Sequence, residues 1–155
     1  MKNILLVLST SRTSPEAVEY ALALAKKEKA RLITLFIMET EIVSEVFEIF
    51  SDIGFTGDKP SMRLTEAMMR EFRQRGYEEL KKIEDIAKKE GIPCELVIEE
   101  GDFLKKALWV MDKYGIDSAV AIKKRRSAIA SYFIRSQVLM LKEKAKCPVE
   151  IFQEE

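Results

Sequence analysis

The sequence predicts an α/β domain with a largely parallel sheet, on three observations. Apolar runs of strand length recur along the chain, the first being "NILLVLS" (3–9). These runs are nearly unbroken rather than alternating, as strands covered on both faces should be. Amphipathic stretches with helix-capping residues stand between them, and such alternation packs as helices on a parallel sheet with right-handed crossovers. A length of 155 residues fits a single domain spanning 1–155, large enough to bury a core without crosslinks.

After the first strand, "RTSPEAVEYALALAKKEKA" reads as a helix. Thr13 or Ser14 can cap it, Pro15 suits its first turn and Glu16 supplies a favourable N-terminal charge. Ala17, Val18, Ala21, Leu22 and Ala25 recur at helical spacing. "RLITLFIM" (31–38) is the second strand. A long helix over roughly 61–90 carries the stripe Leu64, Met68, Phe72, Leu80, Ile83 and Ala87, and Gly91 stops it. The third strand covers about 94–99. Asp102 can cap a third helix, "FLKKALWVMDKY", ending at Gly115. "DSAVAI" (117–122) is the fourth strand, a helix through about 145 follows with Ile134, Val138, Leu141 and Ala145 on one side, and "CPVEIF" closes the chain as the fifth.

Residues 39–60 do not fit this alternation and read as a variable insertion, long for a connection in a compact domain. Ile42, Val46, Phe50 and Ile53, with Val43 and Phe47, share one helical face, while Glu41, Glu45, Glu48 and Asp52 form an acidic stripe. The pattern fits an extra helix with a solvated face, or a mobile lid or partner-binding element.

Lys plus Arg and Asp plus Glu both number 26, so no global field attracts nucleic acid or membrane. No stretch approaches the ~20 apolar residues of a membrane span, and the N-terminal apolar run is too short for a signal peptide. Cys94 and Cys147 lie far apart in no metal-ligand pattern and read as small core residues of a cytoplasmic protein. Abundant Lys and Glu are the pattern of heat-adapted proteins. The absence of histidine removes Ser-His-Asp and Cys-His catalysis and His-based zinc sites. No metal site and no catalytic residues are assigned.

The order of "NILLVLSTSRTSPEAVEYALALAKKEKARLITLFIME", "EGDFLKKALWVMDKYGIDSAVAI" and "KEKAKCPVEIF" resembles the universal stress protein family over nearly the whole chain. The resemblance implies a Rossmann-like three-layer sandwich with a five-stranded parallel sheet in the order 3-2-1-4-5. It also implies a homodimer through the last strand, here Pro148 to Phe152. An edge strand presents unpaired N–H and C=O groups, and Val149, Ile151 and Phe152 offer apolar surface to bury. In such sheets ligands bind in the crevice beyond the first and fourth strands, where "STSRTS" and "KKRRS" would meet.

ATP-binding members of that family carry Gly-x-x-Gly, nine residues, then Gly-Ser or Gly-Thr after the fourth strand. An ungapped match puts those glycines at Ile122, Arg125 and Arg135, leaving Ser136 as the surviving hydroxyl, and puts the family's aspartate at Ser9. Glycines there allow positive φ and close approach of N–H groups to phosphate. Side chains at 122, 125 and 135 are expected to be strained in that geometry and to fill the phosphate space, so ATP is not the expected cofactor and none is assigned.

Eight cations lie in 123–146 against Glu143 alone. Lys123, Lys124, Arg125, Arg126 and Arg135, with Ser9, Ser11, Arg12 and Ser136 nearby, form a candidate anion crevice, since Lys and Arg bind phosphate well. The plainer reading is a solvated charge run. Nucleic acid is not expected, because no aromatic is interleaved in "KKRR". Met62, Met68 and Met69 with Phe72 read as gap-filling at a helix interface, and Trp109 as packed against the sheet. The function expected is therefore a non-catalytic regulatory, stress-response domain acting as a homodimer with an unidentified protein partner. The alternative is a sensor of a nucleotide or other anionic small molecule at the basic crevice.

Overall fold

The computed structural model describes residues 1–10, 12–39, 58–124 and 136–154, excepting the side chains of 58–62 and 65. Among the described residues five strands and four helices alternate: β1 (Asn3–Ser9), α1 (Pro15–Glu28), β2 (Arg31–Glu39), α2 (Asp58–Lys89), β3 (Cys94–Gly101), α3 (Phe103–Tyr114), β4 (Ser118–Lys123), α4 (Gln137–Lys144) and β5 (Val149–Gln153). The strands form one sheet in the order β3-β2-β1-β4-β5, and every neighbouring pair is parallel. The fold class and strand order are those expected.

The period of two in β1 divides the core. Ile4, Leu6 and Leu8 face α1 and α2 with Ala17, Ala21, Leu80 and Ile83. Leu5 and Val7 face α3 and α4 with Phe103, Ala107, Val110, Val138 and Leu141. A strand buried on both faces cannot carry a polar stripe, which is why these runs are continuous.

Local signals set the helix ends. Ser14 Oγ accepts from the Ala17 amide at 3.2 Å, so Ser14 rather than Thr13 caps α1. Asp102 Oδ2 accepts from the Lys105 amide at 2.9 Å. Gly91 (φ 72°) and Gly115 (φ 59°) sit in the left-handed region past α2 and α3.

Four boundaries and placements depart from expectation. Helix α2 begins at Asp58, so the insertion's last residues already belong to it. Strand β4 runs from Ser118 to Lys123, because Asp117 is occupied outside the strand: its Oδ2 accepts from the Asn3 amide at 2.8 Å. Ala145 stands just beyond α4, and Ile134, like the acidic face of 41–53, lies outside the described residues. Trp109 does not pack on the sheet. Phe103, Ala107, Val110 and Met111 fix the rotation of α3, which turns Trp109 outward to 47% exposure between Lys106 and Lys113, whose ammonium groups lie 5.6 and 4.8 Å from its ring centre.

Cys94 and Cys147 are half-buried free thiols on opposite sides of the sheet, and desolvation pushes both thiol pKa values up. Among the described residues no helix is long and apolar enough to cross a membrane.

Candidate functional site

The C-terminal edge of the sheet is closed by a tight turn after β1. The Ser9 amide donates to the Arg12 carbonyl at 3.1 Å and the Arg12 amide returns a bond to the Ser9 carbonyl at 3.2 Å. Thr10 is tied to β2 through the Ile37 carbonyl at 3.2 Å. This geometry turns the Arg12 side chain inward, where it ion-pairs with Glu39 at the end of β2. The two side chains are 4% and 7% exposed. The guanidinium carbon also lies over the Phe103 ring, 4.1 Å from its centre. Arg12 thus clasps β1, β2 and the start of α3, and Glu39 neutralises its charge from within.

The remaining crevice candidates are placed as follows. Ser9 is completely buried and its hydroxyl has no hydrogen-bond partner. Lys123 and Lys124 are half-buried at the end of β4, with the Lys123 carbonyl accepting from the Glu154 amide at 2.9 Å. Ser136 occupies the N-cap position of α4 in extended backbone, yet its hydroxyl makes no capping bond. Ser11, Arg125, Arg126 and Arg135 lie outside the described residues.

Ile122, at the position of the family motif's first glycine, departs from expectation in one respect. It lies within β4, paired with Phe152, and the only non-glycine residue at positive φ among those described is Lys29 (φ 52°). No left-handed strain arises at Ile122. It is instead a fully buried core residue on the α1 side, grouped with Leu8 and Val120. A glycine there would leave a hollow beside the end of the sheet; the isoleucine fills it.

One feature of this edge gives no direct signal in the sequence. Helices α1 and α2 are joined near their C-terminal ends by the Lys26–Glu90 ion pair and diverge toward the end of β1. Between them lies a pocket of about 570 Å³, floored by Leu8 and Phe36 and walled by Val18, Phe72, Ile83 and Ile86. The one hint is Gly76, a glycine deep inside a 32-residue helix. A Cβ there would stand 2.5 Å from Phe36 Cδ1, so only glycine lets α2 lie on that ring. No group of three or more carboxylate or thiol side chains is placed to hold a metal ion among the described residues.

The sequence matches the universal stress protein family over residues 1–153. No curated protein sequence matches the chain. Among solved structures, the universal stress protein UspA from Lactobacillus plantarum superposes with a TM-score of 0.73 at 12% identity, covering 97% of each chain. A universal stress protein in complex with cAMP superposes at 0.62 and 19% identity, covering 100% of both chains. An Arabidopsis thaliana family protein with AMP bound superposes at 0.57 and 15% identity, covering 100% of this chain and 93% of that one. These likenesses extend over the same alternation of elements and strand order that the residues above build. This chain belongs to the universal stress protein family.

Proposed function

We propose that this chain is a non-catalytic regulatory domain of the stress response, cytoplasmic and homodimeric, that does not hold ATP in the manner of the family's ATP-binding members. The observation that carries the reading is Ile122, a fully buried core side chain where those members place a glycine. Two further features support it. Ser9 stands in place of the aspartate, and Arg12 is engaged by Glu39 rather than presented to an incoming anion. With no histidine in the chain, hydrolysis would fall to carboxylates, Lys or Tyr, and no arrangement of these is assigned a catalytic role.

A second reading, a sensor of a nucleotide or other anion, is favoured by Lys123 and Lys124 at the end of β4 ahead of the N-terminus of α4, and by relatives solved with cAMP and AMP. A thermal-shift screen with ATP, AMP, cAMP and phosphate, with and without Mg²⁺, separates the two. Ligand at ~100 times Kd would contribute about 2.7 kcal/mol and raise Tm by several degrees. The regulatory-dimer reading expects no shift with any of them. A shift with AMP or cAMP alone establishes the sensor, and one with Mg·ATP contradicts the proposal.

The dimer is proposed through β5, which is a sheet edge in this protein. The Ala119 amide donates to the Pro148 carbonyl and the Glu154 amide to the Lys123 carbonyl. By alternation, the N–H groups of Val149, Ile151 and Gln153 point away from β4, toward the free edge. Ile151→Pro removes one outward donor and leaves the β4–β5 ladder intact. The variant should sediment as a monomer with unchanged far-UV circular dichroism; a persistent dimer contradicts strand pairing.

A further inference from the structure

Strand β5 is five residues long, and it forms one edge of the sheet. Its two faces differ. Val149 and Ile151 lie on the α3–α4 side, whereas Phe152 packs on the α1 side, and by alternation Glu150 shares that side with Phe152. The Phe152 ring leans on Tyr20 of α1, their centres 5.1 Å apart, and Tyr20 is still 39% exposed. Glu150 and Gln153 are exposed, while Ile151 and Phe152 are half-buried. Apolar surface and outward backbone groups therefore lie together along this edge.

Two copies of one strand that pair about a two-fold axis run antiparallel. The outward N–H and C=O groups belong to Val149, Ile151 and Gln153, so each of these residues faces another of the three or goes unpaired. Three positions of the axis keep the strands well overlapped. With the axis at Glu150, that carboxylate faces its own counterpart, Cα to Cα about 4.5 Å, and Gln153 loses its strand partner. With the axis at Phe152, two rings meet, but Glu150 faces the partner's Glu154 and Val149 loses its strand partner. With the axis at Ile151, Val149 faces the partner's Gln153, Ile151 faces the partner's Ile151, and every outward group is paired. Glu150 then faces the partner's Phe152, so no like charges are opposed. Nothing is lost by keeping the rings apart, because Phe152 already has Tyr20 of its own copy.

We infer that two copies of this chain join β5 to β5 in antiparallel register about an axis at Ile151, which continues the sheet from one copy into the other. On one face Ile151 packs on its counterpart; on the other, Phe152 covers the stem of the partner's Glu150. This register rests on the β5 dimer already proposed and names what makes the edge complementary to itself.

Cysteines placed in the full chain, in a Cys94→Ser, Cys147→Ser background, read the register under mild oxidation. Facing residues stand about 4.5–5.5 Å apart between Cα atoms, within reach of a disulfide, whereas diagonal neighbours at roughly 7–8 Å are beyond it. Ile151→Cys should convert to a disulfide-linked dimer. Glu150→Cys and Phe152→Cys should each stay uncrosslinked alone, yet crosslink to one another once mixed and allowed to exchange. That second arm does not depend on Ile151 tolerating substitution. Sedimentation of the reduced variants separates two kinds of failure. A dimer in which Glu150→Cys or Phe152→Cys crosslinks with itself, or in which no facing pair crosslinks, overturns the register alone. A monomer overturns the β5 dimer and the register with it.

Discussion

Replacing Glu39 by Ala should destabilise this domain by about 3–5 kcal/mol, a large part of the 5–15 kcal/mol that holds a typical domain folded. The cost is not the value of one contact. Arg12 is buried beneath the turn after β1, and without Glu39 its guanidinium would remain desolvated while losing the carboxylate that faces it. Removing both charges is a different experiment. Arg12→Met with Glu39→Leu keeps apolar volume against Phe103 and leaves no buried charge, so it should recover most of the loss. Urea denaturation of the two single variants and the double variant measures the coupling. A Glu39→Ala variant within 1 kcal/mol of the parent would mean that the pair is effectively solvated, which would contradict the clasp at the sheet's edge.

Gly76→Ala should also destabilise, against the usual trend for a helix interior. Alanine gains up to about 1 kcal/mol in helix propensity over glycine. Here its Cβ would meet Phe36 Cδ1 at 2.5 Å and Cε1 at 2.7 Å, and Phe36 is only 3% exposed, with little room to yield. Overpacking of this kind costs typically 1–3 kcal/mol, which outweighs the propensity gain. The sign should reverse in a Phe36→Leu background, where the obstructing ring is gone and only the propensity remains. If Gly76→Ala stabilises the parent chain, α2 does not lie on Phe36 as described.

Most of the architecture was readable because its determinants are local. Continuous apolar runs marked strands covered on both faces, Ser14 and Asp102 marked helix starts, and Gly91 and Gly115 marked ends, each through backbone chemistry that acts within a few residues. The order of strands rested on family resemblance, since no local rule sets it. Features of the site depend on distant register instead. Arg12 and Glu39 are 27 residues apart, and they meet only because β1 and β2 pair with Ser9 beside Ile37. In the sequence, Glu39 read only as the first residue of the insertion and Arg12 as one more cation near an anion crevice. Trp109 was misplaced because its helix has apolar residues in more than one direction, and only packing of Phe103, Ala107, Val110 and Met111 on the sheet chooses which turns inward. The α1–α2 pocket arises from the divergence of two helices joined at one end, a tertiary property with Gly76 as its single trace in the sequence.

Ile122 would be strained in one backbone setting and is at ease in the other. As a loop residue it would be a strained substitute for glycine; as a strand residue it is an ordinary part of the core, and the proposed exclusion of triphosphate rests on volume alone. Strain would trouble the protein itself, whereas volume troubles only the ligand. The most direct measurement is an amide chemical-shift titration of the full chain with Mg·ATP. No saturable shifts are expected at the ends of β1 and β4 or at the start of α4. Saturable, stoichiometric shifts at Ser9, Lys123 and Ser136 would contradict it.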